Sequence, residues 1–311
     1  MKIALGLKPI KGPWGGGNQF VKSFSKYLHK KRYKITYNLN NKDVDIILII
    51  DPRKKNNQIS ISMEDALEYK KKINKNVKIF LRVNDCDERK NTNHVNNIFL
   101  ENSKFANKVI FVSDWLKSIY LSRGLDKKKS YTIHSAANSS IFYPNFKNHK
   151  REKFKIVTHH WSANKNKGFD IYKKLDNYLS IDELKNKFEF IIIGNKPLFY
   201  NFKNSIYYKP MNDYKIAKIL RNCDIYFTAS KNEPAGMHFL EGLASGLPIL
   251  YLDSGGSTEY CKEYGLAIDE NNILEKLFEL KSNYSFFQNK ILKYKEMDKI
   301  MLKEYLKILL S

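Results

Sequence analysis

Short apolar runs alternate along the chain with segments whose apolar residues recur every three to four positions. In the first half the runs are KIALGL (2–7), VDIILII (44–50), VKIFLRV (77–83) and KVIFVS (108–113). Each is strand-length and nearly continuous in apolar character, the pattern of a strand covered on both faces of a parallel sheet. Between the first two, NQFVKSFSKYLHKK (18–31) sets Phe20, Val21, Phe24, Tyr27 and Leu28 at helical spacing. Ser62 with Asp65 three residues later has the form of a capping box ahead of MEDALEYKKKI. Ser113 is placed to cap DWLKSIYLSR, and Gly124 to end it.

The alternation stops at FYPNFKNHKREK (142–153), a polar stretch carrying Pro144, and resumes with FKIVTHHW (154–161). FEFIIIG (188–194), SIYYKP (205–210), DIYFTAS (224–230), PILYLD (248–253) and GLAID (265–269) follow, with helical segments between them. Strands alternating with helices predict two Rossmann-like, doubly wound α/β domains with parallel sheets. The predicted division is an N-terminal domain over 1–148, a second domain over 149–286 and a C-terminal helix over 287–311 that returns to the first. The tail 289–310 reads as one long amphipathic helix. Ligands of open α/β sheets bind beyond the carboxyl ends of the strands, so the cleft between two such domains is the expected site.

Composition narrows the classes. A hydrophobic fraction of 42% with 14% aromatics belongs to packed cores, not to a disordered chain. No apolar run approaches the roughly 20 residues of a membrane-spanning helix. The start MKIALGLKPIKG lacks the apolar length and cleavage site of a signal peptide. Three scattered cysteines, Cys86, Cys223 and Cys261, fit neither a disulfide framework nor a zinc spacing, so a cytoplasmic location is expected. The net charge of +23 is uneven: residues 1–150 hold 30 Lys and Arg against 12 Asp and Glu. Such a field attracts anions, among them an anionic membrane surface on which the protein would be peripheral. Charge alone also admits a nucleic-acid-binding protein, but no helix-turn-helix, RNP or finger pattern accompanies it.

The chemistry concentrates in NEPAGMHFLEGLASGLPIL (232–250). DIYFTAS is a strand, so KNEPAG is its exit loop, with Pro234 suited to the first turn of a helix and Gly246 to its end. Glu233 then stands at the helix mouth and Glu241 two turns in. The first-turn amides around Ala235, Gly236 and Met237 suit a phosphate, and Gly236 permits close approach. Carboxylates are poor phosphate ligands and good acceptors for paired hydroxyls, so the segment suits a ligand with both phosphate and polyol.

EPAGMHFLEGLASGLPI resembles the E-x7-E nucleotide-sugar motif of retaining glycosyltransferases of the B fold, family 4 or group 1 and its relatives. GGSTEY (255–260), WSANKNKGFDIY (161–172), IHSAANSSIFYP (133–144), VSDWLKSIYLSRG (112–124) and WGGGNQF (14–20) resemble further blocks of that family, in family order. The resemblance implies a nucleotide-sugar donor, a glycan or lipid-linked acceptor, and no cofactor or metal. It implies that Glu233 meets hydroxyls of the transferred sugar and that Glu241 holds the ribose. The backbone at Ala235, Gly236, Met237 and His238 would hold sugar and diphosphate, and Lys167 would neutralise the diphosphate. Ser162 stands where the family has an Arg; Lys165, or Arg82, is a candidate for the missing charge. SAAN (135–138) departs from the family's Asn-Gly-Val-Asp.

LRVNDCDERK (81–90) places Arg82, Asn84 and Asp85 at the end of a strand, where polar groups face a cleft; Arg82 and Asp85 are catalytic candidates there. Gly15, Gly16 and Gly17 open a helix and leave amides accessible to a phosphate. Adjacent in a strand, His159 and His160 point to opposite faces and do not share a metal. The predicted function is sugar transfer from a nucleotide sugar. A sugar-binding scaffold without turnover is the alternative that Ser162 favours.

Overall fold

The computed structural model describes residues 1–10, 12, 15–54, 56–145, 152–294 and 296–311. Trp14 of the Gly-rich block, the middle of the polar stretch 142–153 and the predicted boundary at 148/149 lie outside them. The chain divides into two compact units, one of residues 1–135 with 299–311 and one of residues 136–298.

Unit 1 is a six-stranded parallel sheet of β1 (Lys2–Leu5), β2 (Lys34–Thr36), β3 (Ile46–Ile49), β4 (Lys78–Val83), β5 (Lys108–Phe111) and β6 (Ser130–Thr132), in the order β2-β1-β3-β4-β5-β6. β3, with all four residues buried, and β4, with five of six, are the apolar runs read from the sequence. β2 and β6, three residues each at the two edges, lack that signal: KIT and SYT are only partly buried. The capping box forms, with Ser62 Oγ accepting from Asp65 N (3.2 Å) and Asp65 Oδ2 from Ser62 N (2.8 Å). Ser113 caps Asp114–Leu121 through Leu116 N (3.2 Å). Phe20, Val21, Phe24 and Leu28 form the buried stripe of the Gly16–Lys30 helix. Within this unit Tyr305 packs its ring against Phe20 and Phe24, at centroid distances of 4.6 and 5.8 Å.

Unit 2 is a second six-stranded parallel sheet: β7 (Phe154–His160), β8 (Phe188–Gly194), β9 (Ile206–Tyr208), β10 (Ile225–Thr228), β11 (Ile249–Leu252) and β12 (Gly265–Ile268), ordered β12-β11-β10-β7-β8-β9. Side-chain alternation along β7 feeds two cores, Val157 into one with Tyr226, Phe239 and Leu240, Ile156 into the other with Tyr172, Phe190 and Phe227. The predicted single tail helix is two: Tyr284–Ile291 and Met297–Leu310. Glu296, at φ 54°, lies in the left-handed region just before the second, which a continuous α-helix does not admit. Both units are thus the doubly wound parallel α/β architecture expected. Among the described residues no helix is long and apolar enough to cross a membrane.

Candidate active site

β7 is the first strand of unit 2, yet it lies between β8 and β10. The chain leaves it towards β8 and β9, then crosses back to β10. Strand order reverses there, between β7 and β10, the place beyond the carboxyl ends of the strands where open α/β sheets bind their ligands. The residues singled out around 159–168 and 229–241 lie at the end of β7, on the exits of β7 and β10, or in the helix that follows β10.

After β7 the chain makes a 3-10 turn over Lys165–Lys167 and then Gly168, at φ 79°. A Cβ on Gly168 would sit 2.1 Å from the Ala229 carbonyl oxygen, so only glycine lets the turn rest on the end of β10. Lys231 N donates to Asn166 O at 2.7 Å and fastens the same turn. Lys167 Nζ thereby reaches Glu233 Oε2 and forms an ion pair whose side chains are only 13% and 5% exposed. The GGSTEY turn backs this glutamate: Gly256 N donates to Glu233 O at 3.0 Å, and a Cβ on Gly255 would lie 2.7 Å from Glu233 N. Ser162 is exposed, its Oγ accepting from Asn164 N at 3.2 Å, and Lys165 is exposed in the turn that carries Lys167.

The helix after β10 runs Met237–Ala244. It starts three residues later than Pro234 suggests: Pro234 and Ala235 lie in a bend and Gly236 is the N-cap, at φ −76° and ψ 110°. Glu233 therefore precedes the helix, and Glu241 is in its second turn. Gly236 has a reason other than ligand approach, because a Cβ there would lie 2.6 Å from His238 Cε1 and 2.7 Å from Phe239 Cε1 of its own helix. Gly236 has no side chain to bond the first-turn amides, the arrangement that suits an anion. Ala235 and Met237 are partly exposed, and His238 is buried with Nε2 3.0 Å from Thr228 Oγ1 and 3.2 Å from Ser230 Oγ.

The two histidines ending β7 diverge as their strand requires. His159 Nε2 lies 2.6 Å from Glu241 Oε2, and its Nδ1 lies 3.1 Å from Tyr226 Oη. His160 Nε2 lies 2.8 Å from Tyr172 Oη and 3.2 Å from Thr158 Oγ1. Burial, aided by the nearby Lys167 charge, holds His160 well below the usual imidazole range, so it is neutral. Burial likewise pushes the Tyr172 hydroxyl up to about 12 and the Tyr226 hydroxyl well above its usual value, so both phenols keep their protons. His159 and Tyr226 were not singled out as site residues from sequence. The only local signal was a histidine pair ending a strand.

In unit 1, Gly15 is the N-cap of the Gly16–Lys30 helix that follows β1, and among the described residues a Cβ on it would meet nothing within 4 Å. A Cβ on Gly17 would make ordinary contacts with Ile50, Leu7 and Asn84. Asp85 is buried, with Lys90 Nζ at 2.7 Å and Arg89 Nη1 at 3.4 Å. Arg82 turns elsewhere: Nε donates to Tyr305 Oη (3.1 Å), Nη2 to Ser135 Oγ (3.4 Å), and the guanidinium lies 4.6 Å from the Phe20 ring centre. Among the described residues its buried Nη1 has no hydrogen-bond partner. The structure thus brings Lys167, Glu233, Ala235, Gly236, Met237, His238 and Glu241 together in unit 2. It does not join Arg82 to Asp85.

Comparison with known proteins agrees with this geometry. Residues 144–294 match the sequence model of the family described as glycosyl transferases group 1. Among solved structures, Anabaena HepE in complex with UDP and glucose is similar at TM-score 0.72 and 11% identity, over 100% of this chain and 99% of that one. A glycosyltransferase from Rickettsia africae is similar at TM-score 0.67 and 17% identity, over 99% and 97%. WaaG, a glycosyltransferase involved in lipopolysaccharide biosynthesis, is similar at TM-score 0.67 and 11% identity, over 99% of each chain. A search of curated proteins by sequence found no match. The segment 144–294 is thus similar to the group 1 glycosyltransferases, and the two parallel α/β units match the B fold of solved glycosyltransferases. The match over that segment and the fold together support a glycosyltransferase.

Proposed function

We propose that the chain transfers a sugar from a nucleotide-sugar donor to a glycan or lipid-linked acceptor with retention at the anomeric carbon. The observation that carries this reading is the convergence of Lys167, Glu233 and Glu241 on the reversal of strand order in unit 2, within the segment of the family match. Glu241 accepts from the ribose hydroxyls and Glu233 from hydroxyls of the sugar. The amides opening the Met237–Ala244 helix and the Lys167 ammonium meet the diphosphate. The bond from the anomeric carbon to the diphosphate oxygen breaks, and the acceptor oxygen bonds to that carbon on the same face. The acceptor proton passes to a departing phosphate oxygen, so no protein nucleophile is required. Negative charge grows on the leaving diphosphate, and fixed positive groups there stabilise the transition state more than the ground state. Lys165, beside Lys167, is assigned the charge that Ser162 does not supply. The Gly15–Gly17 turn, Asn84 and Asp85 are assigned to unit 1's part in substrate binding. No cofactor is assigned.

The roles of the two glutamates differ, and so should their variants. Glu241→Ala is expected to weaken binding of the free nucleoside diphosphate by about tenfold or more, since a charge-assisted hydrogen bond contributes ~1.5–3 kcal/mol. Glu233→Ala is expected to leave that affinity within a few-fold and to lower kcat. Titration of UDP, GDP, ADP and CDP by calorimetry, with UDP first because HepE binds it, checks this beside steady-state kinetics. Unchanged affinity in both variants would remove the roles assigned to the pair.

The acceptor side carries a second expectation. Lys22, Lys26, Lys30, Lys31 and Arg32, on or beside the Gly16–Lys30 helix, are all exposed, while its apolar stripe is buried in unit 1. Adsorption to an anionic cytoplasmic leaflet without insertion fits this, at ~1 kcal/mol per basic residue near the surface. Co-sedimentation with anionic vesicles is expected at low salt, and neither at high salt nor with neutral vesicles. No binding to anionic vesicles at low salt would leave a soluble acceptor.

A further inference from the structure

We infer that His159, its tautomer fixed by Tyr226, is a positioning residue that holds the Glu241 carboxylate in the orientation the donor requires. The inference rests on the assignment of Glu241 to the nucleotide.

Glu241 is 4% exposed, and among the described residues the one hydrogen bond recorded for its carboxylate is to His159 Nε2, at 2.6 Å. A buried carboxylate that must receive two hydroxyls has to be held in one rotamer, and a glutamate has three torsions to restrict. The proton positions follow from the surroundings. His159 N donates to Tyr226 Oη at 3.0 Å, so the phenol oxygen is already an acceptor. Its own proton, retained because burial disfavours the phenolate, is then directed to Nδ1 of the same histidine at 3.1 Å, ahead of that residue's carbonyl at 3.4 Å. With Nδ1 accepting, the imidazole carries its hydrogen on Nε2, which donates to Glu241. Three residues from β7, β10 and the helix thus point one way, from Tyr226 through His159 to Glu241.

The packing is shaped for this chain. Gly242, the residue after Glu241, has no Cβ; one there would lie 2.5 Å from the Tyr226 ring. Any side chain at 242 would push Tyr226 from beneath the helix and its hydroxyl from His159. The ring planes of His159 and Tyr226 stand at 89°, edge to face, which leaves the imidazole edges for hydrogen bonds. His160 next door bonds Tyr172 and Thr158 on the other face of the sheet, so it does not substitute for His159.

The test compares His159→Gln with His159→Asn in the full chain. The glutamine amide reaches the place of Nε2 and donates to Glu241; the shorter asparagine amide falls short. With UDP, GDP, ADP and CDP as calorimetric probes, His159→Asn is expected to raise Kd of the preferred nucleotide by about tenfold or more. His159→Gln should stay within about threefold of wild type, and kcat should change little in either because Glu233 and Lys167 are untouched. In a Glu241→Gln background, His159→Asn should add nothing further, the coupling expected of residues acting as one unit and not of a merely structural histidine. Equal affinities for His159→Gln and His159→Asn, or additive effects in the double variant, overturn the inference while Glu241→Gln alone still weakens binding. If Glu241→Gln leaves Kd unchanged, or no nucleotide binds wild type, the assignment of Glu241 fails first and the inference with it.

Discussion

Lys167→Ala is expected to lower both the melting temperature and kcat/KM, and adding Glu233→Gln to Lys167→Met is expected to restore only the first. Both side chains of the pair are nearly inaccessible. Removing the ammonium strands a buried carboxylate, which costs about 3–5 kcal/mol in comparable pairs. At roughly 2–4 °C per kcal/mol for a unit of this size, the single variant should melt about 6–20 °C lower. Neutralising both partners leaves no buried charge, and pairs replaced in that way are often no less stable than the original. Activity should not follow stability. The double variant lacks the positive charge assigned to the leaving diphosphate, and loss of one such group lowers kcat by roughly 10²–10³-fold in other enzymes. Scanning calorimetry and steady-state kinetics on the wild type, both Lys167 single variants and the double variant check both halves. A double variant that recovers activity together with melting temperature would make the pair a structural bridge between the exits of β7 and β10.

The buried strands were legible because a strand covered on both faces must be apolar at nearly every position, as in VDIILII and FEFIIIG. Edge strands have no such requirement: Ile206–Tyr208 and Gly265–Ile268 still show as short apolar runs, whereas Lys34–Thr36 and Ser130–Thr132, three residues each with one apolar or aromatic position, do not. The tail looked continuous because apolar periodicity survives a break of a few residues, and no Pro or Gly marks the turn before Met297. Pro234 suggested an early helix start by its fitness for a first turn, yet a proline fits a bend equally well. The Glu233–Glu241 spacing was readable as a motif; its partners were not. Lys167 lies 66 residues from Glu233, and His159 lies 82 from Glu241. Those pairings exist because β7 and β10 are neighbours, a fact of topology that no local pattern carries. Arg82 shows the converse. A strand end rich in polar residues suggested a cleft, but the Arg82 guanidinium is taken up by Tyr305, 223 residues on.

Gly168→Ala is expected to damage the enzyme far more than Gly124→Ala, although both glycines have positive φ, 79° and 93°. The left-handed backbone alone costs an alanine roughly 1–2 kcal/mol. That is all Gly124→Ala should lose, since a Cβ there meets nothing within 4 Å. At Gly168 the new carbon would fall 2.1 Å from a backbone oxygen, that of Ala229 at the end of β10. No rotamer relieves a clash with backbone, so the Lys165–Lys167 turn must lift by about 1 Å or more to restore ordinary contact. The lift strains the Lys231–Asn166 hydrogen bond and moves the Lys167 ammonium away from Glu233. A displacement of about 1 Å in a positioned group can lower turnover about 100-fold. Gly168→Ala should therefore lose about two orders of magnitude in kcat/KM with a clear drop in melting temperature, whereas Gly124→Ala should melt only a few degrees lower with kcat/KM within about twofold. Kinetics and calorimetry on the two variants side by side decide it. Equal activities would mean that the turn carrying Lys167 relaxes without moving the charge, and the seating of that turn on β10 would lose its catalytic meaning.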